Sequence, residues 1–244
     1  MNLDFFNFPC HKYFMFRNPR HFNKRHFYVD TPEQAIRRTI VLMGDGIKKG
    51  VDNLAFRNWV ASIAALAPRR DFLEQARRVY DAVIKRWRFV GDPVNKEWLN
   101  YTPDAQMGLT LGFSLPSGIG FGDCDCITTA LGSAFYSIGF PVLLRTIKPE
   151  EGPRELKAVQ QTVDGIREIQ VPEDHNNIPS HVGLLVKIPG YGLMSVDPIL
   201  EDKIDGFGFC PPSKFTLIWN LEGDIVGFQQ GKDKMIWRPD HNFH

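Results

Sequence analysis

Phe121-Gly122-Asp123-Cys124-Asp125-Cys126 closes a glycine-rich approach and opens a helical pattern. Pro116, Gly118, Gly120 and Gly122 predict a loop, because proline and glycine punctuate regular structure. Ile127, Leu131, Ala134, Phe135 and Ile138 then recur at helical spacing. This places Cys124 at a helix N-terminus. There the positive end of the helix dipole favours a thiolate, the nucleophilic form, and first-turn N–H groups can stabilise an oxyanion on an attacked carbonyl.

A cysteine behind a glycine loop is more often a small buried hydrophobe than a nucleophile, so the residues that follow decide its reading. Ser180-His181-Val182-Gly183-Leu184-Leu185-Val186 predicts a strand that opens with a histidine, and Leu193-Met194-Ser195-Val196-Asp197-Pro198 a strand that closes with an aspartate. His181 and Asp197 are sixteen positions apart, which suits a hairpin turning at Pro189-Gly190-Tyr191-Gly192. In adjacent antiparallel strands a residue near the start of the first lies opposite one near the end of the second, so the two are expected as cross-strand neighbours. The carboxylate would then fix the imidazole tautomer and the other ring nitrogen would face Cys124, a nucleophile with its base and orienter.

Between these segments, fifteen residues after Cys124, come Gly139-Phe140-Pro141 and the strand Val142-Leu143-Leu144-Arg145. Taken together, the Gly-Asp-Cys-Asp helix start, the Gly-Phe-Pro turn, the histidine strand and the aspartate strand resemble the transglutaminase-like cysteine peptidase superfamily. Upstream, Trp87-Arg88-Phe89-Val90-Gly91-Asp92-Pro93, with Glu97 after it, is similar to the stretch that precedes the nucleophile in transglutaminase-like proteins encoded by bacteriophages and prophages. The resemblance spans roughly residues 30 to 200 and departs from the phage pattern at Cys126, where an aspartate is usual. It implies an α+β fold with a papain-like or transglutaminase-like core: N-terminal helices and a central nucleophile helix packed on an antiparallel sheet. It also implies a phage-encoded cysteine acyl-transfer enzyme with Cys124, His181 and Asp197 as catalytic residues. Such an enzyme acts on peptide or protein amides, needs no cofactor or metal, and belongs to a virion made in the bacterial host cytoplasm. A non-catalytic virion component retaining the fold is the alternative.

Other parts of the chain frame this reading. Asp30-Thr31-Pro32-Glu33 predicts a capped helix start, and Phe72, Ala76, Val79, Val83 and Trp87 predict a second amphipathic helix. The 244 residues with 43% hydrophobic content suffice for a core, read as one domain over residues 29–244 behind an arm of residues 1–28. A net charge of +1 argues against general nucleic-acid binding. Four cysteines do not make a disulfide framework, and a reducing compartment is expected.

The arm holds nine aromatics, among them Phe5, Phe6, Phe8, Phe14 and Phe16, and five basic residues against the single acid Asp4. It has no uninterrupted apolar run, so neither a secretory signal nor a transmembrane segment fits. It is expected to order against other virion proteins or to wrap its own domain. Residues 148–179 form a polar connection with one strand candidate, Ile166–Val171, and could wall a substrate cleft. Phe215–Trp219, Ile225–Phe228 and Met235–Trp237 predict further strands, with Gly223-Asp224 as a turn.

Competing readings remain for single residues. Cys124 and Cys126 with His175 or His181 could bind a metal, although a second close-spaced ligand pair is missing. Otherwise Cys126 reads as structural, as do Trp59, Trp87, Trp219 and Trp237. His175 reads as a loop residue, and His11, His21 and His26 are too dispersed for a metal site. Trp98, Asn100 and Gln106 are candidates for a side-chain contribution to an oxyanion hole.

Overall fold

A computed structural model describes residues 32–89, 120–149, 158–162, 165–169, 179, 181–197 and 206–238. The aromatic arm, Asp30 and Thr31, the candidates Trp98, Asn100 and Gln106, His175 and Cys10 lie outside the described residues. The described elements are four helices and a set of mainly antiparallel strands, an α+β arrangement.

Three helices come first: α1 (Pro32–Asp52), α2 (Leu54–Ala64) and α3 (Phe72–Lys85). Helix α2 was not expected from the sequence. It begins after a single intervening residue, Asn53, whose Oδ1 accepts from the Phe56 N–H at 3.1 Å and caps it. It buries Phe56, Trp59, Val60 and Ala64, one stripe at helical spacing. Helix α3 is capped in the same way, by Asp71 Oδ1 accepting from the Glu74 N–H at 3.0 Å. It ends at Lys85, so Trp87 is not its last apolar position but the first residue of strand β1 (Trp87–Phe89). That strand pairs in parallel with β2 (Gly120–Gly122). The glycine approach to Cys124 is therefore not wholly a loop. Backbone pairing needs no side chain, which is why the glycines hid it.

Helix α4 (Cys124–Ser137) follows, with every residue from Asp125 to Phe135 buried. A helix surrounded on all sides shows little amphipathicity. Three of its hydroxyls are satisfied internally: those of Thr129, Ser133 and Ser137 donate to the carbonyls of Asp125, Thr129 and Ser133 at 2.7, 2.8 and 2.7 Å.

The strands are β3 (Val142–Pro149), β4 (Ala158–Thr162), β5 (Gly165–Ile169), β6 (His181–Ile188), β7 (Gly192–Val196), β8 (Ser213–Trp219), β9 (Ile225–Gln230) and β10 (Ile236–Trp237). Six of them form one antiparallel sheet in the order β10-β9-β8-β3-β6-β7. The polar connection contains two strands rather than one, because β4 and β5 form their own antiparallel pair. Trp59, Trp87 and Trp219 are buried as expected, but Trp237 is 40% exposed on the short edge strand β10.

Strand alternation sorts the sheet into two faces. Val142 and Leu144 of β3 and Val182, Leu184, Val186 and Ile188 of β6 join the helices in the main core, with Ile40, Met43, Ile47, Leu131 and Phe135. Leu143, Leu185, Ile218 and Val226 cluster on the other face. Helix α1 is also bound to the turn between β8 and β9, where Arg37 Nε donates to Gly223 O at 3.2 Å and Lys48 pairs with Glu222 at 2.7 Å. Gly44 lets the two meet, since a Cβ there would stand 2.0 Å from the Leu221 carbonyl oxygen.

Gly44→Ala is therefore expected to separate α1 from this turn and to cost about 1–3 kcal/mol or more in urea unfolding. Gly132→Ala, whose Cβ would meet only the Ile47 side chain at 2.6 Å, should cost less because a side chain can rotate away. Equal losses would show that the close approach at Gly44 does not matter.

Candidate active site

Cys124 is the first residue of α4 and is partly exposed, while Cys126 is fully buried in the main core. The preceding Asp123 occupies the cap position with extended backbone (φ −96°, ψ −152°), yet its side chain makes no capping hydrogen bond. The cap side chain thus leaves the first-turn N–H donors alone. One turn into the helix, Thr128 Oγ1 donates to Val182 O at 3.2 Å in a buried contact. Val182 follows His181, so this bond ties the start of the Cys124 helix to the start of the histidine strand.

His181 opens β6 and is 8% exposed; Asp197, just beyond β7, is 2% exposed. Their side chains meet through His181 Nε2 and Asp197 Oδ1 at 2.8 Å. The pair is diagonal rather than directly opposite. Leu184 faces Val196 in the register, so the position across from Asp197 is Gly183. A Cβ on Gly183 would lie 2.8 Å from Asp197 Oδ2 and 3.3 Å from Arg145 Nη2. Glycine leaves the space through which the carboxylate crosses β6 to reach the histidine.

The second carboxylate oxygen is also taken. Arg145 Nη2 donates to Asp197 Oδ2 at 2.9 Å, and both side chains are almost wholly buried. Arg145 Nη1 donates to Ser195 Oγ at 2.6 Å and to Cys210 Sγ at 2.9 Å. Ser195 Oγ in turn donates to the Phe209 carbonyl in a short contact. Arg145 faces Gly183 across the β3–β6 ladder, so the guanidinium, the glycine gap and the carboxylate lie in one line across three strands.

This arrangement bears on where the imidazole carries its hydrogen. A carboxylate paired with a guanidinium can only accept, so the Nε2 that meets it carries hydrogen and Nδ1 is the nitrogen with a lone pair. A neutral imidazole held this way is equipped to take a proton at Nδ1. Alternation along β6 sets His181 with Gly183 and Leu185, on the face opposite Val182 and the helical core. His181 is the first residue of the strand, at the sheet's rim, the end at which Thr128 fastens α4.

The expected residues are thus distributed as follows. His181 and Asp197 are in direct contact; the Thr128–Val182 bond ties the helix that carries Cys124 to the strand that carries His181, but alternation sets the imidazole on the face away from that helix, not facing Cys124 as expected. Arg145, Gly183, Thr128 and Ser195 were not singled out from the sequence, although an arginine inside the apolar run Val142–Ile147 was a visible signal. Near the nucleophile, ligand atoms of Asp123, Asp125 and Cys126 lie within 4.8 Å of one another, a different grouping from the Cys124, Cys126 and histidine set considered above. His181 is engaged with Asp197 instead.

No protein-family model and no curated protein sequence matches the chain. Among solved structures, the chain is similar to a provisionally assigned protease from Parabacteroides distasonis, at 10% identity and a TM-score of 0.44, over 78% of this chain and 30% of that one. The chain therefore spans about a third of the length of that protein.

Gly183→Ala is expected to push the Asp197 carboxylate off its line, costing about 1–3 kcal/mol in chemical unfolding and weakening the bond to His181. Gly190→Ala provides the contrast. It has a positive φ of 83° but nothing within 4 Å of the added Cβ, so only about 1–2 kcal/mol of backbone strain applies and His181 is untouched. An unchanged His181 NMR signal in Gly183→Ala would show that the carboxylate does not need the gap.

Proposed function

We propose that the chain is a cysteine acyl-transfer enzyme that hydrolyses or exchanges an amide bond through a thioester on Cys124. The observation that supports this most is the buried hydrogen bond between His181 Nε2 and Asp197 Oδ1, at the end of the strand to which the Cys124 helix is fastened. It leaves Nδ1 as the basic nitrogen, as a cysteine–histidine pair requires.

In this reading Nδ1 takes the thiol proton and Sγ attacks the carbonyl carbon of a peptide or protein amide. The developing oxyanion is held by first-turn N–H groups of α4. The protonated imidazole then gives its proton to the departing amine as the C–N bond breaks, leaving the thioester. Water attacking the thioester gives hydrolysis or deamidation, whereas a second amine gives a new amide and restores the thiol. Asp197 keeps the imidazole oriented throughout and offsets its transient positive charge. A papain-like or transglutaminase-like core, a phage-particle setting and contacts of residues 1–28 with other virion proteins belong to the same proposal, and rest on the sequence resemblance.

Because His181 lies at the rim, the reading requires the Cys124 thiol to reach round the first residue of β6. Alkylation tests this. Cys210 is exposed and, with its sulfur accepting from Arg145, serves as a demanding internal reference, while Cys126 is buried. With limiting iodoacetamide at neutral pH, Cys124 is expected to react about tenfold or more faster than Cys210, measured by peptide mass spectrometry. His181→Ala should remove that advantage. Equal rates at Cys124 and Cys210, unchanged by His181→Ala, would overturn the proposal.

A further inference from the structure

Arg145 is the largest fully buried side chain among the described residues, and it is charged. Packing of β3 does not ask for a charge, since the surrounding Leu143, Leu144, Thr146 and Ile147 are uncharged and buried. A guanidinium taken out of water is retained only where its partners are well placed, because desolvation of the charge opposes burial. Its contacts converge on one target. Nη2 holds Asp197 Oδ2, while Nη1 is braced by Ser195 Oγ and Cys210 Sγ. Ser195 is braced in turn by the Phe209 carbonyl. The segment carrying these last contacts is itself fastened to β7, by Gly208 N–H donating to Ser195 O at 2.8 Å and Asp197 N–H donating to Gly206 O at 2.9 Å.

We propose that Arg145 is a positioning residue for the Cys124–His181 pair: it locks the Asp197 carboxylate so that Oδ1 can hold the imidazole only as the Nε2–H tautomer, with Nδ1 directed to the nucleophile. This rests on the acyl-transfer reading for its consequence, but its immediate effect is on His181 alone. A carboxylate held by the histidine only could turn about its Cβ–Cγ bond and swing out of line with the ring's Nε2–H. Bound through Oδ2 by a braced guanidinium, it cannot. A lysine could keep the charge but not the fork, because its ammonium is a point donor on a flexible stem and cannot address Asp197 and Ser195 from one rigid plane.

The test uses the full chain, with two readouts. The first is the tautomer of His181, read from the 15N shifts of its ring; the second is the alkylation rate of Cys124. The wild type should show a single Nε2–H tautomer. Arg145→Lys should give a mixture of tautomers and slow Cys124 alkylation about 10- to 100-fold, as misplacement of a catalytic group does. Ser195→Ala removes one brace and leaves the ion pair, so it should move both readouts in the same direction by less. It also keeps the test decisive if Arg145→Lys fails to fold. A single Nε2–H tautomer in whichever of these variants folds would overturn the role of Arg145. Slow, unselective alkylation of Cys124 in the wild type, with the tautomer still responding to Arg145→Lys, would instead count against the acyl-transfer reading and leave the positioning role standing.

Discussion

The buried ion pair between Arg145 and Asp197 is the constraint around which the site is organised. Two charges removed from water are tolerated only when their partners are well placed, and here both carboxylate oxygens and both terminal guanidinium nitrogens are engaged, while the buried Arg145 Nε makes no hydrogen bond among the described residues. Meeting that demand recruits residues from separate parts of the chain. Strand β3 brings the arginine, β6 the histidine and the glycine gap, β7 the serine, and the segment after the aspartate brings Phe209 and Cys210. Removing one partner would strand a buried charge, a loss of about 3–5 kcal/mol in comparable pairs. The sheet order that places β6 between β3 and β7 is what allows one carboxylate to be shared by two strands.

The helix of the candidate nucleophile obeys a different constraint. Because α4 is buried from Asp125 to Phe135, it presents mostly small or apolar residues, with Asp125 the one buried charge. Gly132 admits the Ile47 side chain of α1, and the three hydroxyls that bond back to the preceding turn need no outside partner. Thr128 is the exception, because its hydroxyl leaves the helix for the Val182 carbonyl. A net contribution of about 0.5–1.5 kcal/mol is ordinary for such a bond, so its importance lies in register rather than stability. It sets which turn of the helix meets which residue of the strand.

Much of this was legible before the fold. Apolar spacing located α3 and α4, the family resemblance located β3, β6 and β7, alternation located the C-terminal strands, and glycines with positive φ at Gly190, Gly192 and Gly223 stand in or beside the turns expected there. The histidine–aspartate contact was anticipated, but as a directly opposed pair. The actual diagonal contact depends on Gly183 having no side chain, a property that acquires meaning only once Asp197 and Arg145 are seen on either side of it. Helix α2 escaped because a one-residue break at Asn53 separates it from α1. Strand β2 escaped because its pairing with β1 is purely backbone, over glycines that signal a turn. The exposure of Trp237 could not be read from residue type, since it follows from the place of β10 at the sheet edge.

Strand alternation also governs how the candidate nucleophile and base could meet. A histidine in the middle of β6 with this phase would be separated from α4 by the sheet itself. At the first position the strand ends on one side of it, and the ring can be approached round the rim. Keeping the imidazole on the far face lets it share the polar cluster of Arg145, Asp197 and Ser195, which could not be placed among the apolar residues of the helical core without a heavy desolvation cost. The near face remains free for Val182, Leu184 and Val186 to pack the helix. A site at the edge of the sheet thus reconciles a dry core beneath the helix of Cys124 with a charged network behind His181, and it confines any meeting of the candidate nucleophile and base to the one end of β6 where both faces are within reach.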